Sequence, residues 1–201
     1  MAQLNKQDLK ISFLVGIIAG ILMLPTLSNL GVVLDLKISF LAVAGLTVFT
    51  PFGYLVAYFL SKWWLGAIQF VKFGISGGLS AMVDFGVLNA LIYLSAISSG
   101  IWYSVFKSVS FLFGVTNSYL WNKNWTFKAA AGQNRGEFAK FFLLSIISFF
   151  INVGIASFIV NYISAPAGVT EELWANIGAA VSAILVLFWN FIWMKFIVFK
   201  K

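Results

Sequence analysis

The chain has 201 residues, of which 61% are hydrophobic and 9% charged, with a mean hydropathy of +0.97 and a formal net charge of +7. Soluble domains carry about 25% charged residues, so this composition belongs to a membrane protein. There is no Cys and no His, which excludes disulfides and thiolate metal sites and removes the commonest general base; no enzyme, metal or cofactor is expected. The cations are spread between apolar segments rather than gathered into a basic domain, so nucleic acid is not an expected partner.

Six stretches are long enough to cross a bilayer, which takes about 20 apolar residues as a helix. They are Ile11–Leu30, Ile38–Leu60, Phe70–Leu94, Ile101–Trp121, Phe138–Tyr162 and Leu173–Met194. Their continuous apolar character predicts helices and not barrel strands, which alternate. An all-α polytopic membrane protein with six transmembrane helices follows. Lys6 and Lys10 before the first run would also suit a signal peptide, but the run is long and no small-residue cleavage site follows it.

Six crossings put both termini on one side. Eleven of the thirteen Lys and Arg residues fall on that side, while Asp35, Lys37, Glu171 and Glu172 fall in the opposite connections and Lys107 just inside the fourth stretch. The positive-inside rule makes both termini cytoplasmic, in the inner membrane. Trp63, Trp64, Trp102, Tyr103, Trp125, Tyr162 and Trp174 fall near the expected interfaces, where amphipathic rings anchor helices. Residues Ala129–Gly136 read as a short cytoplasmic loop.

Residues 1–66 form one hairpin with Pro25 and Pro51 inside its helices, and it has no echo elsewhere. Residues 67–201 read as a tandem repeat of a two-helix hairpin. Phe70-Val71-Lys72-Phe73, with Asp84 and Gly86 beyond, recurs 68 residues later as Phe138-Ala139-Lys140-Phe141 with Asn152 and Gly154. Trp121, Lys123, Phe127 and Lys128 recur 72 residues later as Trp193, Lys195, Phe199 and Lys200. Both copies enter from the same side, so the repeat is parallel, about an axis along the membrane normal. Matched cations at matched depth suggest a protein that handles an anionic lipid-borne group.

Asp84 in mid-helix, Asn122-Lys123-Asn124-Trp125-Thr126-Phe127, and Asn190-Phe191 leading to Lys195 and Phe199 resemble the GtrA-like family over about residues 68–200. Members usually have four spans, so the first hairpin is a departure. The family tends to have Arg where Lys123 and Lys195 stand, which keeps charge but loses the bidentate fork. The resemblance implies translocation of a polyprenyl-phosphate-linked sugar from the cytoplasmic to the outer leaflet, for decoration of cell-surface polysaccharide or teichoic acid. It also implies a membrane-associated glycosyltransferase as partner, and in some relatives a similar domain is fused to such an enzyme.

On this reading Lys72, Lys140, Lys123, Lys195 and Arg135 are candidates to meet the lipid phosphate at the inner face. Each reads equally as a snorkelling or orienting cation. Asp84, Lys107, Asn122, Asn152 and Asn190 are candidates for the headgroup path. Asp84 lies about 21 Å into its helix, where an ionisable group costs about 2.5–3.5 kcal/mol on insertion scales and faces the bundle interior. Its expected partner is Lys107, and an ion pair fixing helix register is the competing reading. The asparagines suit helix packing as well as headgroup contact. Gly74, Gly77 and Gly78 read as a close-packing face. Besides translocation, a non-transporting scaffold for a glycosyltransferase and a small-solute or ion transporter coupled through Asp84 stay open. Four helices are few to enclose a polar route across about 30 Å of hydrocarbon, so a homo-oligomer or an open groove is expected.

Overall fold

The computed structural model describes residues 4–64, 66–126 and 135–193, and gives the backbone alone at 135–142 and 191–193. Its elements are α1 (Lys6–Asn29), α2 (Leu36–Leu60), α3 (Ala67–Ser95), α4 (Gly100–Trp121), a π-helical segment (Asn122–Thr126), α5 (Arg135–Tyr162) and α6 (Glu171–Trp193). No strand occurs among the described residues. The six helices coincide with the six predicted stretches to within a few residues at each end. Among the described residues five of them, all but α4, are long and apolar enough to cross a membrane. α4 falls short because it holds Lys107, Asn117 and four serines, and it turns Lys107 and Ser110 fully inward. Apolar side chains face outward instead: Phe40, Phe49 and Leu187 are 69%, 68% and 66% exposed. A broad apolar exterior of this kind is what lipid contact requires.

Local chemistry sets the helix ends. Asn5 caps α1 by accepting from Gln7 N–H at 2.9 Å, and Asp35 caps α2 by accepting from Ile38 N–H at 2.6 Å; short polar acceptors at this position satisfy amides that the helix leaves unpaired. α1 ends at Gly31, whose φ of +81° lets its own N–H reach Ser28 O and the N–H of Val32 reach Leu27 O, both at 3.0 Å. Pro25 and Pro51 lie inside α1 and α2.

The chain divides into two compact units, Met1–Val87 with Phe113–Ala131, and Leu88–Leu112 with Gly132–Lys201. In the first unit α1 and α2 approach almost backbone to backbone. A Cβ added at Gly16 would lie 2.6 Å from Thr47 Cα, and one at Gly20 would lie 2.6 Å from Val43 Cα. Two small residues four apart on one face permit this approach in lipid. Thr50 Oγ1 then donates across it to Ser12 O at 2.7 Å. The buried core here is Val15, Ala19 and Leu79, with Leu22, Leu46, Ile75 and Trp121 packed against it. α3 meets α1 at Gly86, where an added Cβ would fall 2.7 Å from Leu22 O.

The predicted packing face at Gly74, Gly77 and Gly78 is not where helices close up. An added Cβ at any of them meets no atom within 4 Å. All three are exposed, because the face of α3 that packs is the one bearing Leu79 and Gly86.

In the second unit α5 and α6 pair through buried Ala156, Ala175 and Ala179, with Gly178 letting Val160 approach to 2.8 Å of an added Cβ. Asn89 and Asn176 exchange two amide hydrogen bonds of 2.7 Å each. Tyr103, expected at the interface, is fully buried, and its hydroxyl donates to Ala175 O at 2.9 Å.

Candidate functional site

The first unit gathers its charge around Asp8, in the first turn of α1. A carboxylate there is favoured by the amides and dipole of the helix start. Asp8 is nevertheless 9% exposed, and a buried charge must be matched. Its Oδ1 accepts from Lys72 Nζ of α3 at 3.0 Å and from Trp125 Nε1 of the π-helical segment at 2.8 Å. Its Oδ2 accepts from the Tyr54 hydroxyl of α2 at 3.3 Å. Tyr54 is fully buried and Trp125 is 5% exposed. Lys72 Nζ also sits 5.1 Å from the centroid of the Trp125 ring, within range of the ring's negative face.

The π-helical segment makes this possible. A wider turn after α4 directs Trp125 and Thr126 inward while Lys123 and Asn124 stay exposed; single π turns of this sort recur at functional sites. Trp121 braces Trp125 edge-on, with centroids 5.7 Å apart.

A polar stripe begins at Lys72 and runs into the membrane along α3. Lys72, Ser76, Ser80 and Asp84 recur every four residues, covering about 18 Å of axis. Ser76, Ser80 and Asp84 are 0%, 8% and 8% exposed. Ser76 Oγ donates to Lys72 O at 2.7 Å, so its single proton is spent. The 2.9 Å contact between Ser76 and Thr126 is therefore donated by Thr126. Ser80 Oγ donates to Ser76 O at 2.8 Å and accepts from Asn117 Nδ2 at 3.0 Å, and Trp121 Nε1 donates to Asn117 Oδ1 at 3.1 Å. The backbone of α4 lies close by: a Cβ on Gly114 would be 3.0 Å from Ser80 O and 3.2 Å from Asp84 Cβ.

A family model described as GtrA/DPMS, transmembrane domain, matches residues 72–199. The chain belongs to this family. It is a membrane protein of a family associated with the handling of glycosyl lipids. No solved structure matches it. The GtrA/DPMS match opens at Lys72 itself, so Lys72, Ser76, Ser80, Asp84 and Trp125 lie inside it, whereas Asp8 and Tyr54 come from the α1–α2 hairpin that precedes it.

Of the residues expected at the phosphate, Lys72 is thus held by Asp8. Lys123 is exposed, with its ammonium 5.5 Å from the Tyr119 ring centroid. Arg135 and Lys140 stand at the start of α5, but their side chains, like Lys195 altogether, lie outside the described residues. Of the path residues, Asp84 and Lys107 are both buried and fall in different units. Asn122 donates to Ser118 Oγ at 3.2 Å. Asn190 accepts from Ser148 Oγ at 3.0 Å. Asn152 is 2% exposed, and its Oδ1 has no hydrogen-bond partner among the described residues.

Ser148 stands 68 residues after Ser80 and Asn152 the same interval after Asp84. Ser80 of α3 bonds Asn117 of α4, and Ser148 of α5 bonds Asn190 of α6. Sequence reading passed over Asp8, Tyr54, Ser76 and Ser80 and assigned Trp125 to the lipid interface. The four-residue spacing from Lys72 to Asp84 was the available signal for the stripe.

Proposed function

We propose that this protein moves a polyprenyl-phosphate-linked sugar from the cytoplasmic to the outer leaflet of the inner membrane, with both termini cytoplasmic. The reading gives the chain no catalytic step. One observation supports it above others: a buried polar stripe that starts from two donors converging on one oxygen. Lys72 Nζ and Trp125 Nε1 both point at Asp8 Oδ1, and an oxygen of a phosphodiester offers them the same charge-assisted acceptor. The lipid phosphate docks by taking the place of the Asp8 carboxylate. The hydroxyls and amide of Ser76, Ser80, Thr126 and Asn117 then give the headgroup polar contacts as far as Asp84, while the isoprenoid tail stays in lipid. No nucleotide-driven step enters, so net movement follows the gradient set by synthesis on one face and consumption on the other.

The test is reconstitution. Purified full-length chain in proteoliposomes should move labelled polyprenyl-phosphate sugar between leaflets without a partner, and Lys72→Ala with Lys140→Ala should abolish this while membrane insertion persists. Movement only when a glycosyltransferase is added would replace the proposal with a scaffold role. Cation-dependent solute uptake lost in Asp84→Asn, without lipid movement, would replace it with an ion-coupled transporter.

A further inference from the structure

We infer a second ligand site, within the chain's second unit, built to take a neutral monosaccharide. A cavity of about 350 Å³ opens there between the α3–α4 and α5–α6 connections, within the usual range of small-molecule pockets, about 300–1,000 Å³. Its lining includes Ser98, Ser99, Asn161, Tyr162, Glu171 and Trp174 and, among the described residues, no Lys or Arg.

The walls are fixed by bonds between the two connections. Ser98 Oγ donates to Glu171 Oε2 at 3.2 Å. Gly100, whose φ of +72° turns the chain into α4, donates its N–H to Asn161 Oδ1 at 2.7 Å, and Asn161 Nδ2 donates to Ser104 Oγ at 3.3 Å. Trp174 Nε1 donates to Ile163 O at 2.9 Å, so this indole offers the cavity its ring and not its proton. Tyr162 stands 80% exposed at the rim, stacked on Phe158 with centroids 5.8 Å apart.

The chemistry selects the ligand class. A carboxylate has room for about four hydrogen bonds, so Glu171 keeps acceptor capacity beyond its bond to Ser98. Hydroxyls of Ser99 and Ser164 both donate and accept. Two aromatic rings supply an apolar surface. Hydroxyl donors above and a C–H face below are what a pyranose presents. A phosphate finds no cation here and meets a carboxylate, so the lining repels it. A metal ion is also poorly served, since no cluster of three or more acidic, His or Cys ligands occurs among the described residues. The choice of a sugar over another neutral polyol rests on the proposed function. On that reading the two sites differ in the part of the headgroup they suit: a cation and an indole N–H for phosphate in the first unit, acceptors and rings for sugar in the second.

The experiment uses the full chain in nanodiscs and a panel of methyl glycosides of neutral hexoses and N-acetylhexosamines, with binding followed by saturation-transfer NMR. At least one member should bind saturably in the millimolar range. Glu171→Gln should weaken it tenfold or more. Tyr162→Ala, at an exposed rim position, should do likewise, with thermal unfolding of the variant checked against the parent. Absence of saturable binding across the panel, or binding unchanged in both variants, would overturn the site. Binding that appears only with added calcium or sodium would assign the cavity to a cation instead. Parallel flipping assays separate the two proposals: glycoside binding without lipid movement keeps this site and removes the transport reading, and the reverse keeps transport and removes the site.

Discussion

The carboxylate of Asp8 lies 3.0 Å from the ammonium of Lys72, 64 residues further along the chain. The pair joins a hairpin outside the GtrA/DPMS match to the residue at which that match begins. Removing one partner of such a buried pair costs up to about 3–5 kcal/mol, because the other charge is left unmatched, whereas replacing both by apolar groups is often neutral. The pair's side chains are 13% exposed, so the lower end of that range applies. Asp8→Ala should therefore destabilise the first unit by about 3 kcal/mol, read as earlier thermal unfolding in detergent. Asp8→Leu with Lys72→Met removes the unmatched charge but leaves the Trp125 N–H and the Tyr54 hydroxyl without their acceptor, so it should recover only part of that stability and move no lipid. Equal instability of the double variant and Asp8→Ala would mean that the two stranded donors, and not the unmatched Lys72 charge, carry the loss.

Asp8→Asn keeps shape and loses charge. With the resident anion gone, Lys72 and Trp125 are open to an external one. If phosphate docks by displacing Asp8, this variant should bind a soluble polyprenyl-phosphate analogue more tightly than the parent, by roughly tenfold for each 1.4 kcal/mol of competition removed. Weaker binding in Asp8→Asn would mean that Asp8 orients Lys72 for the ligand and does not compete with it.

Trp125→Phe separates two roles of one ring. The face beneath Lys72 is retained, at 5.1 Å in the parent, but the N–H that donates to Asp8 at 2.8 Å is lost. A hydrogen bond to a charged group is worth about 1.5–3 kcal/mol, and the drop in unfolding free energy should fall in that window. A loss well below it would mean that water or Tyr54 takes over the vacated oxygen.

The helices were legible because the apolar runs are continuous and each is long enough to cross a bilayer. The Asp8 cluster was not, for a physical reason. Asp8 sits between Lys6 and Lys10 near a terminus, a setting that reads as solvated charge, and its partners lie 46, 64 and 117 residues away. No local period encodes contacts at those separations. Trp125 was read as an interface ring because an aromatic side chain near the end of a span ordinarily anchors a helix, whereas its burial follows from a bond to Asp8, 117 residues away. The glycines teach the same lesson. Gly74, Gly77 and Gly78 are close in sequence yet face open space, whereas Gly16 and Gly20, four apart on one face, set the hairpin spacing.

That spacing yields its own prediction. With Val43 Cα 2.6 Å from the position of an added Cβ, Gly20→Val can be accommodated only by moving α1 off α2. Overpacking of this kind costs about 1–3 kcal/mol, and it would carry Asp8 away from Lys72 as well. Thermal unfolding should come earlier in Gly20→Val, whereas Gly77→Ala, which meets nothing within 4 Å, should hold or raise stability, because Ala is the better helix former. A loss in Gly77→Ala as large as that in Gly20→Val would mean that the close approach at Gly20 is not what sets the stability.

In the second unit, Asn89 and Asn176 provide a test of what buried amides do in this fold. Each donates to the other at 2.7 Å, and Asn176 also donates to Glu172 O at 2.9 Å. Asn89 is fully buried and Asn176 is 5% exposed. Asn89→Leu removes one donor and one acceptor from the amide of Asn176, at about 1–3 kcal/mol for the buried groups so deprived, and Asn176→Leu removes the matching pair from Asn89. Replacing both removes the stranded groups together, so the double variant should lie well above the sum of the two single losses. A double-mutant cycle on thermal unfolding measures that difference directly. If the losses simply add, the two amides contribute independently and their pairing does not fix the register of α3 against α6.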